Sequence, residues 1–331
     1  MPFTIDFFGE RLNVYRACLH AHSTASDGCY DPQKVLDLYA SRNYDIVCLT
    51  DHFKVTSTEG LDSHGMLLVP SAELHPQGGR IHQSHLLCIN IPADMSLDTI
   101  HGGRNQDGSG MQCVIDAVNE AGGACFAAHP NWCGLRSEEV ARLNGLAGME
   151  IYNHDCQGIN RGYSDQIFNE LCDRGIRLPV IAVDDSHIPR DYFGGITYIC
   201  CRELSIPSVM DAIRKGAIFA SQGPRFTSLS FQDGIFEAHF TDARHAVLMT
   251  NRCRGFCVGN HSDEDQPPKQ AIVSSLRFDA NPWRYDPECT DIKQHVRWQF
   301  QCNYLQCVVE DRMGRHAWSS PVYLPALHEK A

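Results

Sequence analysis

The sequence predicts an α/β barrel with a smaller all-β companion, on three observations. From residue 12 to about 222, short β-branched runs alternate with amphipathic helical patterns. After SQGP (221–224) the helical patterns stop and short strand-like runs continue. The 331 residues also exceed what one undivided core usually holds. We therefore expect a boundary near Gly223, with residues 1–222 forming the barrel and 223–331 a β-sandwich-like domain.

Strand candidates lie at 14–19, 45–50, 66–71, 85–91, 124–128, 149–152, 178–183 and 196–201. Asp31-Pro32 opens the first helix, an N-cap followed by proline at the first helical position, with Val35, Leu38 and Tyr39 as its apolar face. Val114, Ala117, Val118 and Ala121 recur at helical spacing before Gly122-Gly123. Residues 137–146, 160–175 and 206–216 supply further helices. So many alternating units imply a mostly parallel sheet closed into a barrel. Beyond the boundary, Asp233-Gly234 marks a hairpin, and AVLMT, AIVSSLRF, HVRWQFQC, YLQCVVED and SPVYLP have the look of strands. DEDQPPKQ (263–270) is an expected exposed loop.

Composition is that of an ordinary soluble chain, 43% hydrophobic and 21% charged. The net charge of −12 opposes nucleic-acid backbones and anionic membrane surfaces. No apolar run approaches the roughly 18–20 residues of a membrane span. Asp6 and Glu10 sit where a signal peptide would be basic and then apolar. The 16 cysteines are scattered, without a Cys-x-x-Cys pair, and many fall in apolar runs. Buried reduced thiols in a cytoplasmic setting follow.

Function is carried by position. His20 and His22, two apart at a strand end, point to one face. Asp51-His52, Glu73, His129, and Asp185 with His187 end four further strands. In α/β barrels such ends share one rim, where active sites collect. Asp27 lies just past the first pair, and His85 opens its strand instead of ending it. Imidazoles and carboxylates without thiolates suit Zn, Mn or Fe.

H-x-H-x-x-x-x-S-D-G, T-D-H, the glutamate of PSAEL, A-H-P and D-x-H, in that order, resemble the motif series of the PHP (polymerase and histidinol phosphatase) domain across residues 12–222. KGAIFASQGP, together with Asp311, Gly314, Ala317, Trp318 and Pro321, is similar to the CehA/McbA-like branch. The resemblance implies a distorted (β/α)7 barrel holding two or three divalent ions. It places His20, His22, Glu73 and Asp185 on a first ion. Glu73 bridges to a second, shared with His52 or His85. Asp27, His129 and His187 form a third set, completed by His52 or His85. Asp27 stands where some relatives carry histidine, and Lys54 where many carry asparagine.

Around these, Asp51 is expected to orient a histidine. His85 is favoured over His82 as a ligand. His75 and Arg80 are expected in a solvated loop, and His64 and His101 in structural roles. Asn153 and His154 lie on the rim as lining candidates. Arg161 and Arg190 have the geometry to clamp a phosphate, although an exposed loop position accounts for each. GGRNQDGSG (102–110) lacks the context of a phosphate loop.

The expected function is a metal-dependent phosphoesterase acting on a small phosphate ester through a metal-activated hydroxide, with Glu73, Asp185 and His129 as catalytic residues. No membrane or nucleic-acid polymer is expected as partner. Hydrolysis of a carboxylic or carbamate ester at the same site is the alternative enzyme reading. A binding or scaffold protein with a vestigial metal site is the alternative of another class.

Overall fold

In the computed structural model, the described residues are 3–75, 84–95, 109–251, 254–259, 272–283 and 302–324. The chain begins with a hairpin, β1 (Phe3–Phe7) antiparallel to β2 (Glu10–Cys18). Phe8 and Gly9 turn it with φ of 47° and 93°, the positive values that tight hairpin turns require. β2 thus starts four residues before the expected strand at 14–19, since Phe8 is not a turn-forming residue type.

β3 (Ile46–Val47) and β4 (Leu67–Leu68) add to β2 in parallel. A second stretch runs β5 (Ser71–Leu74), β6 (Leu86–Ile89), β7 (Ala124–Ala127), β8 (Gly148–Asn153) and β9 (Val180–Val183) as successive neighbours. Two parallel bridges, His52 with Glu73 and Ala21 with Ser186, join the stretches at their ends. The outcome is a mixed α/β molecule with a nearly closed, barrel-shaped sheet.

The sheet is less parallel than expected. β6 runs antiparallel to both β5 and β7. β10 (Ile196–Cys201) is antiparallel to β2 and to β11 (Ile218–Ser221).

Helix α1 (Pro32–Ala40) is capped by the Asp31 carboxylate, which accepts from Lys34 N at 3.0 Å, and buries Val35, Leu36 and Tyr39. α2 (Ser109–Glu120), α3 (Asp165–Asp173) and α4 (Ile206–Lys215) lie in the expected segments. Segment 160–175 is helical only from Asp165, because Gly162 and Tyr163 pair in extended form with β8. Segment 137–146 keeps one turn, Ser137–Val140, and then meets Asn144-Gly145, with Gly145 at φ 83°.

The C-terminal strands hydrogen-bond into the barrel sheet. β12 (Phe226–Gln232) runs parallel to β1, and β13 (Ile235–Ala243) returns through Asp233-Gly234. β14 (His245–Met249), β15 (Gly255–Gly259) and β16 (Val273–Asp279) follow, then β17 (Tyr304–Glu310), β18 (His316–Ser319) and β19 (Val322–Tyr323). β18 pairs with β11, so Trp318 and Tyr304 share a core cluster with Ala220, Met149 and Phe168. The expected loop 263–270 and all but Cys302 of HVRWQFQC lie outside the described residues. Among the described residues, no helix is long and apolar enough to cross a membrane.

Candidate metal centre

The strand ends at one rim bring the sequence candidates together. His20 and His22 follow β2, Asp51 and His52 follow β3, and Glu73 lies in β5. His129 follows β7, and Asp185 and His187 follow β9. His85 reaches the same rim because β6 is reversed, so its first residue lies beside the end of β7, with Leu86 opposite Ala127. His129 and Asp185 hold positive φ, 27° and 54°, a strained backbone for non-glycine residues.

His20, His22, Glu73 and Asp185 form the innermost group, all buried. His20 Nδ1 lies 2.7 Å from Glu150 Oε1. A carboxylate only accepts, so Nδ1 carries a proton and Nε2 is the atom turned to the cluster, where a proton or an ion can sit. Nε2 faces His22 Nε2 at 3.1 Å, Asp185 Oδ1 at 3.1 Å and Glu73 Oε2 at 3.2 Å. His22 Nε2 is equally close to the two carboxylates. Asp185 Oδ1 is buried without a hydrogen-bond donor among the described residues. Four donor atoms about an edge-length apart match the ligand spacing of a tetrahedral site with bonds of roughly 2.0–2.2 Å. The residues present therefore fit a divalent ion.

Charge makes the same demand. Burial pushes the His20 imidazole down, but Asp185, Glu73 and Glu150 outweigh it and hold its pKa well above the ordinary value. Glu73 is held well below its own, the imidazoles outweighing its burial. The pocket wants positive charge, as protons or as metal.

The two oxygens of Glu73 face different groups. Oε2 looks toward His20, His22 and His52, and Oε1 toward His85 Nδ1 at 2.7 Å and His129 Nε2 at 2.9 Å. A third group joins Asp27 with His22, His52 and His187. His52 Nε2 is 3.3 Å from Asp27 Oδ2, and His187 Nε2 is 3.4 Å from Asp27 Oδ1. His187 Nδ1 donates to the Asp185 carbonyl at 2.8 Å, which turns Nε2 toward Asp27. Hydrogen bonds from His187 and His52 hold the Asp27 carboxyl far below the usual range.

The grouping differs from the expected one at two histidines, His129 and His22, the latter also joining the third group. His129 lies with Glu73 and His85, not with Asp27 and His187. The reversal of β6 makes His85 and His129 neighbours, while the loops after β2, β3 and β9 converge on Asp27.

Asp51 is buried and serves the loop, not an ion. It accepts from Ser23 N and Oγ and from Ser26 Oγ, each at 2.8 Å, and from Thr56 Oγ1. Asn153 donates to Asp185 Oδ2 at 3.0 Å and to Glu150 Oε2 at 2.9 Å. His154 bonds the Tyr152 hydroxyl and packs on Gly194, outside the donor groups. Arg161 and Arg190 are exposed; Arg161 reaches Asn131 at 3.3 Å and Arg190 reaches Asp191 at 3.4 Å. Lys54 is exposed, and His64 pairs with Asp37. Arg80, His82, His101 and most of 102–110 lie outside the described residues.

Three residues have roles that the sequence pattern does not show. Glu150 accepts from His20, from the His129 N–H at 2.7 Å and from Asn153. Its signal was an acid inside the apolar run MEIY. His75 is no solvated loop residue. It lies half-buried, 2.7 Å from His52 Nδ1 and stacked on His85, and burial depresses its pKa to about 3. Asp184 collects the N–H groups of Phe193, Gly194 and Gly195, each at 2.8 Å, and the Tyr39 hydroxyl. A cleft of about 250 Å³ opens over the cluster, walled by Trp132, Asp155, Ile188 and Asp191.

This rim belongs to a known class of fold. The chain superposes on a two-domain protein containing a predicted PHP-like metal-dependent phosphoesterase from Bacteroides vulgatus, with TM-score 0.51 and 16% identity over 80% of this chain and 86% of that one. It is also 32% identical over 127 residues to a 3′,5′-nucleoside bisphosphate phosphatase of Chromobacterium violaceum. That match takes in 35% of this chain and 42% of the relative's length. No family model matches the chain. Together the fold and the relative support the PHP family.

Proposed function

We propose that the protein is a metal-dependent hydrolase of PHP type, acting as a phosphoesterase on a small phosphate ester. The observation that carries this reading is Glu73, whose two oxygens face two separate imidazole groups. His20, His22, Glu73 and Asp185 would hold a first ion, Glu73, His85 and His129 a second, and Asp27, His52 and His187 a third. Zinc, manganese or iron suits these donors. Such ions, when bound, supply Lewis acidity that brings the pKa of water toward neutrality.

The chain's own groups do the rest. Glu73 and Asp185 hold and orient the donors, and Glu150 keeps the His20 proton on Nδ1. Asn153 fixes the outer oxygen of Asp185. Asp155 borders the cleft and would be the proton donor to a leaving oxygen there. The ring of β2, β3 and β5–β9 is assigned as the distorted (β/α)7 barrel, and residues 223–331 as a C-terminal β unit sharing its sheet. A CehA/McbA-like affiliation and a cytoplasmic setting complete the reading, with no nucleic-acid polymer as substrate.

One observation favours the second reading, a carboxylic or carbamate ester. Asp155, Asp191 and Trp132 add negative charge and an aromatic face to the cleft wall, which suits an uncharged ester better than a phosphate dianion.

Elemental analysis of purified protein, beside parallel panels of phosphoesters and carboxylic or carbamate esters, tests both. Phosphoester hydrolysis is expected, with His20→Ala losing metal and activity together. Metal-replete protein that cleaves no phosphoester overturns the first reading. Ester turnover in the same preparation would establish the second.

A further inference from the structure

A second cavity, about 290 Å³, lies between the start of α3 and the sheet of β14, β17 and β18. None of its lining residues belongs to the metal-donor groups. Its floor is one face of the sheet. Val247 stands opposite Val308, Met249 opposite Gln306, and His245 opposite Glu310. Strand alternation puts these side chains on one side and Ala246, Leu248, Cys307 and Val309 on the other. The second set is fully packed in the core, whereas Val247, Met249 and Val308 are only half-buried.

The wall is aromatic. Tyr163, His316 and Trp318 stand with ring centres 5.4–6.2 Å apart, and the Trp318 indole N–H donates to Asp165 at 3.0 Å. The Glu310 charge is already compensated, by Arg244 at 2.7 Å and His245 at 3.4 Å, and Asp165 accepts from the neutral indole. His245 Nδ1 is shielded from solvent with no partner among the described residues.

We propose that this cavity binds a neutral, polyhydroxylated ring of monosaccharide size. Aromatic faces and the valine floor suit the C–H surface of such a ring. Carboxylate, amide and imidazole groups around them suit hydroxyls, which both donate and accept. The pairing of Glu310 leaves an ion little to gain there. The volume lies near the lower end of small-molecule sites, roughly 300–1,000 Å³.

The test is saturation-transfer NMR on the full chain with methyl α-D-glucopyranoside, methyl β-D-galactopyranoside and N-acetyl-D-glucosamine, and with choline as an ionic control. At least one sugar is expected to bind, with choline silent. Val247→Arg, which drives a long side chain into the floor, is expected to weaken that binding about tenfold or more while leaving ester hydrolysis unchanged. The Trp318 indole N–H resonance of the unsubstituted protein is expected to shift as sugar is added, a readout that needs no variant. The proposal is overturned if no sugar binds, if choline binds in preference, if folded Val247→Arg keeps full affinity, or if sugar binds with the indole resonance unmoved.

Discussion

Glu150 shows how one side chain outside the donor set governs it. Its Oε1 keeps the His20 proton on Nδ1, and its Oε2 takes two N–H groups from His129 and Asn153. In Glu150→Gln the new NH2 must face either those two donors or His20 Nδ1. The first orientation sets donor against donor. The second drives the proton to Nε2 and removes a ligand. We expect metal affinity to fall by roughly 10–100-fold, measured by competition with a chromogenic chelator. The unfolding midpoint of the metal-free protein separates this positioning role from a merely structural one. Unchanged affinity would mean that the His20 tautomer is set by something else.

At the scale of the element, the loop after β2 is held by Asp51 and closed by Gly28. A Cβ added at Gly28 would lie 2.6 Å from the His22 carbonyl carbon and oxygen and 2.7 Å from Ser23 N, all backbone atoms that cannot swing aside. Gly28→Ala is expected to cost about 1–3 kcal/mol in a denaturant titration and to loosen the proposed metal site at Asp27. A variant as stable as the parent would show the loop to be adaptable. This scale also marks what the sequence could and could not tell. The motifs at the ends of β2, β3, β5, β7 and β9 were legible because a strand end fixes where the next residue sits. The reversal of β6 was not, since an apolar run such as HLLCINI carries no sign of direction. The placing of His129 beside His85 followed from that reversal. Glu150 and His75 were hidden for another reason. Their roles depend on which neighbour comes within 3 Å, and periodicity does not encode that.

Over the whole molecule, the sequence pattern changes near Gly223, yet hydrogen bonds join the strands on its two sides at β1–β12 and β11–β18. A chain ending at residue 222 would bare both edges and strip Trp318 and Tyr304 from the core cluster holding Phe168. We expect that fragment to aggregate, and size-exclusion chromatography reads the result; a soluble, folded fragment would show the two units to be independent. Asp165, at the same junction, gives a pH signature. Burial raises its carboxyl from 3.8 to about 6, against the indole hydrogen bond from Trp318. The folded state then keeps the proton to higher pH than the unfolded chain. That contribution to stability is complete below 3.8 and is lost as pH rises through about 6. Asp165→Asn keeps an oxygen for the indole and removes the titration. Its urea midpoint should decline less between pH 4 and 7 than the parent's. Parallel pH profiles would count against this assignment.

The reversed strand β6 has a consequence for how such a site diversifies. Glu73 and His85 stand on adjacent antiparallel strands, so the segment joining them starts and finishes at the same rim. Its length can change without moving either ligand, and each doubling of a flexible loop costs only about 0.6 kcal/mol. A loop between parallel strands can vary too, but its crossover must also travel the height of the barrel. Insertions at 76–84 would therefore be an inexpensive route for evolution, or for a protein engineer, to alter selectivity while the metal chemistry stays fixed.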